Sequence, residues 1–240
     1  FQIAVDQARK RVPVIAGTAA IATSRAIALT RAAKEVGCDG AMLTAPPYAL
    51  PREREIIHFF QSISDAVEFP ILLYNNPNRV RRALLPELVD RLADIETVVG
   101  IKDSSGDIEL QEKTLAVCKD RIRYFKGGAK YGHRVVSKGC LGFIGTAAQL
   151  GGSEESEYYR LLKRGEVEKA KALIPDERTE KIHHVLWEDE CGMFPASLKE
   201  AMNLIGRSGG YPREPLLPLT DAERDILRAR LVELGFKPVA

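Results

Sequence analysis

Between Val12 and Gly145 the chain repeats one pattern six times: a short apolar run, a polar or glycine-rich break, then a longer helical stretch. The runs are Val12–Gly17, Gly40–Thr44, Pro70–Asn75, Val98–Lys102, Arg123–Lys126 and Gly142–Gly145. Runs this short, rich in Val, Ile and Leu and alternating with helices, predict strands of a parallel sheet covered on its faces. Ser24 is a candidate N-cap for a helix through Val36, which Gly37 ends. A helix is expected from Arg52 to Ala66, and another over LLPELVDRLA. Asp107 is placed to cap a helix reaching Cys118, and a further helix includes Arg134–Ser137. NPNRVRR reads as a loop. Beyond Glu154 the pattern is helical, with breaks at Pro175, near Pro195 and from Ser208 to Pro218, and with Asp221 capping the last helix.

Consecutive βα units build either an open doubly wound sheet or a (β/α)8 barrel. No G-x-G-x-x-G follows any of the runs, which disfavours a dinucleotide fold. Thr18, Tyr48, Tyr74, Lys102, Gly127 and Thr146 stand at or just after strand ends, where a barrel gathers its active site. The expected fold is therefore an α/β TIM barrel with a C-terminal helical extension. Residues 1–153 would be the barrel, and 154–240 its last helix and the extension. A barrel has eight strands and six are visible, so the first two βα units are expected to precede Phe1.

Composition narrows the function. The chain is 45% apolar and 28% charged, with a net charge of +2 and no basic block, so nucleic acid is a poor partner. No apolar run approaches the roughly 18 residues of a membrane span. Cys38, Cys118, Cys140 and Cys191 are far apart and read as buried thiols in a reducing cytoplasm. His183 and His184 are adjacent and cannot share a helix face, and His58 and His133 have no partner at ligand spacing. No metal site is expected, which weighs against a metal-dependent aldolase.

Lys102 is the residue that points to chemistry. It ends the apolar run VVGI. Desolvation there favours the neutral amine. A free lysine, with a pKa of about 10.4, is a poor nucleophile at neutral pH. Brought toward roughly 7–8 it could attack a carbonyl. The structural alternative is a lysine paired with Asp103 or another acid at the barrel rim. Tyr74 ends another run, where its hydroxyl could relay protons or could simply be satisfied in the core. Arg79 could grip a substrate carboxylate or belong to the solvated cluster Arg79, Arg81, Arg82. Gly127 and Gly128 could admit a ligand to the backbone or form an ordinary turn.

Taken in order, VPVIAGT, APPY, ILLYNNPNR, VVGIKDSSGD, GCLGFIG and PREPLLPL resemble the dihydrodipicolinate synthase and N-acetylneuraminate lyase family of class I aldolases. The pairing of Y-N-x-P with G-I-K at strand ends is the specific part. The resemblance implies that Lys102 forms an imine with pyruvate or a related 2-keto acid. It implies that Tyr74 shuttles protons, that Gly127 and the Ile144 backbone line the keto-acid pocket, and that Arg79 holds a second substrate's carboxylate. Tyr48 takes the place of an interface or lid tyrosine. It also implies a homotetramer, a small-molecule substrate, and no metal or cofactor. The chain departs from the pattern after Tyr48 (Ala49 rather than a second tyrosine), after Arg79 (Val80-Arg81), and in GTAAIATS. Those departures suit a relative acting on a keto-deoxy sugar acid or a hydroxyproline-derived acid as well as a synthase. Two rivals stand beside this reading: a non-catalytic 2-keto-acid binder, and a phosphate-binding barrel isomerase using Gly127-Gly128 and Gly151-Gly152.

Overall fold

The computed structural model describes residues 1–187 and 190–239. Its elements run α1 (Gln2–Ala8), β1 (Ile15–Gly17), α2 (Thr23–Glu35), β2 (Gly40–Leu43), α3 (Glu53–Val67), β3 (Ile71–Asn75), α4 (Pro77–Val80), α5 (Pro86–Leu92), β4 (Val98–Asp103), α6 (Ile108–Cys118), β5 (Arg123–Lys126) and α7 (Gly132–Val135). Then come α8 (Ala148–Gly151), α9 (Glu154–Lys163), α10 (Val167–Leu173), α11 (Asp176–Trp187), α12 (Ala196–Leu204) and α13 (Asp221–Glu233). They fall into two compact units, one of residues 1–127 and 134–144, the other of 128–133 and 145–239.

The first unit holds a five-stranded, all-parallel sheet in the order β1-β2-β3-β4-β5. Each strand lies beside the next in sequence. The order never reverses, so there is no topological switch point, and the doubly wound alternative is excluded. Sequential order is what successive βα units give in a barrel. One face of the sheet is packed against helices: Leu43, Ile71, Leu73 and Ile101 share that face and are fully buried, with Ile56, Phe60 and Ile63 of α3 and Leu88 and Leu92 of α5 in the same core.

One irregularity matters. Ile71 pairs with Val98, but Leu72 pairs with Gly100, so Val99 is an extra residue in β4. A bulge of this kind shifts everything beyond it by one position.

Local chemistry accounts for most element ends. Asp107 caps α6 as expected, accepting from Glu109 N at 3.0 Å and Leu110 N at 3.1 Å. Several expectations are corrected. The segment Gly142–Gly145 forms no full strand, only a single parallel bridge between Phe143 and Lys126, held by Lys126 N to Gly142 O and Ile144 N to Lys126 O. NPNRVRR is not all loop: Pro77 starts the short α4, where its missing N–H costs nothing. Thr220, not Asp221, caps α13, in a reciprocal capping box with Glu223. Helix α2 begins at Thr23 after Ala22, so Ser24 lies inside it. After α7 the chain tightens into a 3-10 turn over Val136–Lys138.

The second unit has its own core, in which Leu150, Ile182, Leu186, Leu198, Leu204, Leu227 and Leu231 come together from α8, α11, α12 and α13. Ser197 is fully buried and donates its hydroxyl to Leu186 O at 2.6 Å. Among the described residues no helix is long and apolar enough to cross a membrane.

Candidate active site

The ends of β3, β4 and β5 carry the sequence-predicted residues. Tyr74 and Lys102 are register partners on adjacent strands, so their side chains leave the sheet from the same face. Lys102 Nζ lies 4.2 Å from the centroid of the Tyr74 ring. Lys102 is half-buried. It is not paired with Asp103, because alternation sends that side chain to the opposite face. The Tyr74 hydroxyl accepts a hydrogen bond from Asn76 Nδ2 at 2.8 Å. With an amide donating to its oxygen, the phenol keeps its own proton to donate.

Past the last ladder pairs, the backbone keeps the strand ends in step. Ser104 N donates to Asn75 O at 2.8 Å, Gly127 N to Asp103 O at 2.7 Å, and Ile144 N to Lys126 O at 2.8 Å. This staircase brings Gly127 and Ile144 to the same end of the sheet as Tyr74 and Lys102. Gly127 must be glycine: a Cβ there would fall 2.0 Å from Ser104 Oγ and 3.0 Å from Asp103 O. Its amide is also committed to the sheet, which removes it from the anion site that a phosphate-binding barrel would need.

Two predicted residues stand apart. Arg79 is exposed on α4, five positions beyond Tyr74. Tyr48 is 90% exposed at the tip of the loop after β2, with a φ of 68°. It is not drawn into the Tyr74–Lys102 group. The four cysteines are buried and free.

Sequence reasoning missed the polar residues behind the pair. Asn75 and Asp103 are both fully buried, and Lys126 nearly so. Burial pushes the Asp103 carboxyl above its ordinary range, against the opposing pull of hydrogen bonds from Ser105 and Asn75 and of the Lys126 charge. The signal was present: with a period of two, polar residues immediately after Tyr74 and Lys102 must face the other way.

The sequence matches the model of the dihydrodipicolinate synthetase family over residues 1–234. The chain belongs to this family. It is 34% identical over 231 residues to the 4-hydroxy-tetrahydrodipicolinate synthase of Halorhodospira halophila, covering 96% of this chain and 75% of that protein. The corresponding synthase of Alkalilimnicola ehrlichii is 36% identical, with 96% and 78% covered. Among solved structures, the Acinetobacter baumannii dihydrodipicolinate synthase complexed with pyruvate superposes with a TM-score of 0.86 at 31% identity, covering 98% of this chain and 79% of that one. YagE of E. coli K12, a prophage protein of the same family also complexed with pyruvate, gives 0.88 at 26% identity, with 98% and 80% covered. The fold is thus the TIM barrel with C-terminal helices, and the chain is an aldolase-type lyase of this family.

Proposed function

We propose that Lys102 forms a Schiff base with pyruvate or a related small 2-keto acid, and that Tyr74 moves the protons. The observation that carries this is the register pairing of Tyr74 with Lys102, which sets an amine over a phenol at 4.2 Å. Pyruvate in the relatives' structures from A. baumannii and E. coli supports the substrate class.

The neutral amine of Lys102 adds to the keto carbon, giving a carbinolamine. Loss of its hydroxyl as water, with a proton supplied through Tyr74, leaves a protonated imine. That imine withdraws electrons from the adjacent carbon, which then releases a proton or breaks a carbon–carbon bond. Splitting one hard step into easier ones is the gain of covalent catalysis. Arg79, exposed on α4, receives the carboxylate of the second reactant. Tyr48, standing free at its loop tip, meets a second copy of the chain in a homotetramer, and the working compartment is the cytoplasm.

Borohydride reduction in the presence of pyruvate tests the reading. Mass spectrometry should find one reduced adduct, on Lys102, absent from Lys102→Ala. Tyr74→Phe should slow trapping by about 10²–10⁴-fold, the usual range for a lost proton relay. Wild-type protein that gives no adduct at Lys102 refutes it, and would leave a 2-keto-acid binder as the remaining reading.

A further inference from the structure

The strand ends have a second face. Asn75 and Asp103 are register partners one position beyond Tyr74 and Lys102, and their side chains point to the opposite side of the sheet. Both are completely buried. Asn75 Nδ2 donates to Asp103 Oδ1 across 3.4 Å and to Leu84 O at 3.2 Å, while Leu84 N donates to Asn75 Oδ1 at 3.0 Å. Asp103 Oδ1 also accepts from Ser105 N at 2.9 Å. Asn75 therefore fastens β3 to the segment that follows α4, and Asp103 fastens β4 to its own exit turn. The two fasteners join each other across the strands.

This arrangement is a costly way to hold a sheet together. Asp103 Oδ2 and the Tyr124 hydroxyl are both buried, with no hydrogen-bond partner outside this pair. Burial, and after it the Asp103 charge, push the Tyr124 phenol well above its ordinary range. Lys126, 7% exposed, is the register partner of Asp103 in β5 and supplies the compensating charge. Apolar residues of similar volume would stabilise such a position at least as well. What the polar pair adds is directional: hydrogen bonds fix where the strand ends sit relative to each other, and apolar packing does so only loosely.

We propose that Asn75 and Asp103 are positioning residues, a cross-strand latch on the back of the sheet that sets the spacing of Tyr74 and Lys102 on its front. The proposal rests on the Schiff-base reading of Lys102. Its leverage is geometric, since a misplacement of about 1 Å at a reacting pair costs on the order of 10²-fold in rate.

The test is the rate of borohydride-trapped imine formation with pyruvate, measured against pyruvate concentration, with circular dichroism to confirm folding. Asp103→Ala and Asn75→Ala should each lower the limiting rate about 10- to 100-fold, while the half-saturating pyruvate concentration moves less than about threefold. Asp103→Asn keeps an acceptor for Ser105 N and Asn75, and should restore the rate to within about threefold of wild type. Because the two act as one unit, the double alanine variant should be no slower than the slower single one. Asn75→Ser, too short to reach Asp103, replaces Asp103→Ala if that variant does not fold. Folded variants with the wild-type limiting rate, a proportional loss of pyruvate affinity instead, or effects that multiply in the double variant would overturn the latch while leaving Lys102 chemistry intact. Wild-type protein without an adduct overturns the Schiff-base reading and the latch with it.

Discussion

Replacing Gly100 by alanine measures how tightly the strand that carries Lys102 is held. Gly100 lies two residues before Lys102, on the same face of β4, and pairs with Leu72 on one side and Arg123 on the other. A Cβ at Gly100 would come 2.8 Å from Arg123 O and 2.8 Å from Leu72 Cδ1. The leucine tip can turn aside. The carbonyl cannot, because it belongs to the backbone of the neighbouring strand, so β4 and β5 must part by a few tenths of an ångström. Overpacking of this sort costs about 1–3 kcal/mol. Removing a glycine from the unfolded chain returns about 0.4–1 kcal/mol. The net loss is about 1–2 kcal/mol, and at about 2–4 °C per kcal/mol for a chain of this size Gly100→Ala should melt about 2–8 °C below wild type. Gly17→Ala is the control: it ends β1, and a Cβ there meets nothing within 4 Å. It should melt at or slightly above wild type. Thermal unfolding followed by circular dichroism reads both. If Gly100→Ala melts as high as Gly17→Ala, the close approach of β4 to its neighbours is not what the structure shows.

Gly127→Ala should disturb the site more than the fold, because its Cβ would press on Ser104 and Asp103 O at the mouth of the sheet; imine trapping should fall at least tenfold in protein that still folds. Thiol reagent added at pH 7.5 should leave the native protein unmodified and label all four cysteines after unfolding, since all are buried and burial pushes the Cys118 thiol up to about 12. Glu112 accepts two bonds from Arg134 and one from Lys138, and these lower its pKa from 4.5 to about 2. A carboxyl depressed in this way adds stability that is complete above pH 4.5 and is lost as pH falls toward 2. Glu112→Gln should therefore narrow the gap between neutral and acid melting temperatures, and an unchanged gap would show that the cluster contributes nothing. Asp103 runs the other way. Its raised pKa means the folded state resists ionisation, so stability is lost as pH rises through the folded value. The melting temperature of Asp103→Asn should gain on wild type between pH 4 and 7.

Particular residues show where sequence reading reached and where it stopped. VVGIK and ILLYN announced two buried strands, because β-branched and leucine runs of that length have few other uses. The cap at Asp107 was equally plain, since one side chain and two nearby amides make it. GFIG looked the same by composition yet formed a single bridge, since how many ladder pairs a short run makes depends on the strand beside it. Asp103 passed for a loop residue, and Asn75 for a strand's last residue with no role of its own. Nothing local distinguishes a solvated Asp from one buried behind a sheet.

The sequence by itself determined that a lysine and a tyrosine each end a buried strand, because apolar periodicity is a local property of the chain. Only the tertiary structure decided that the two meet. Were Val99 paired with Leu72 instead of bulged, Tyr74 would stand opposite Ile101, and Lys102 would lie out of register with it. A one-residue slip exchanges the faces of a strand. The bulge belongs to the pairing of two strands distant in sequence, and it sets the amine against the phenol.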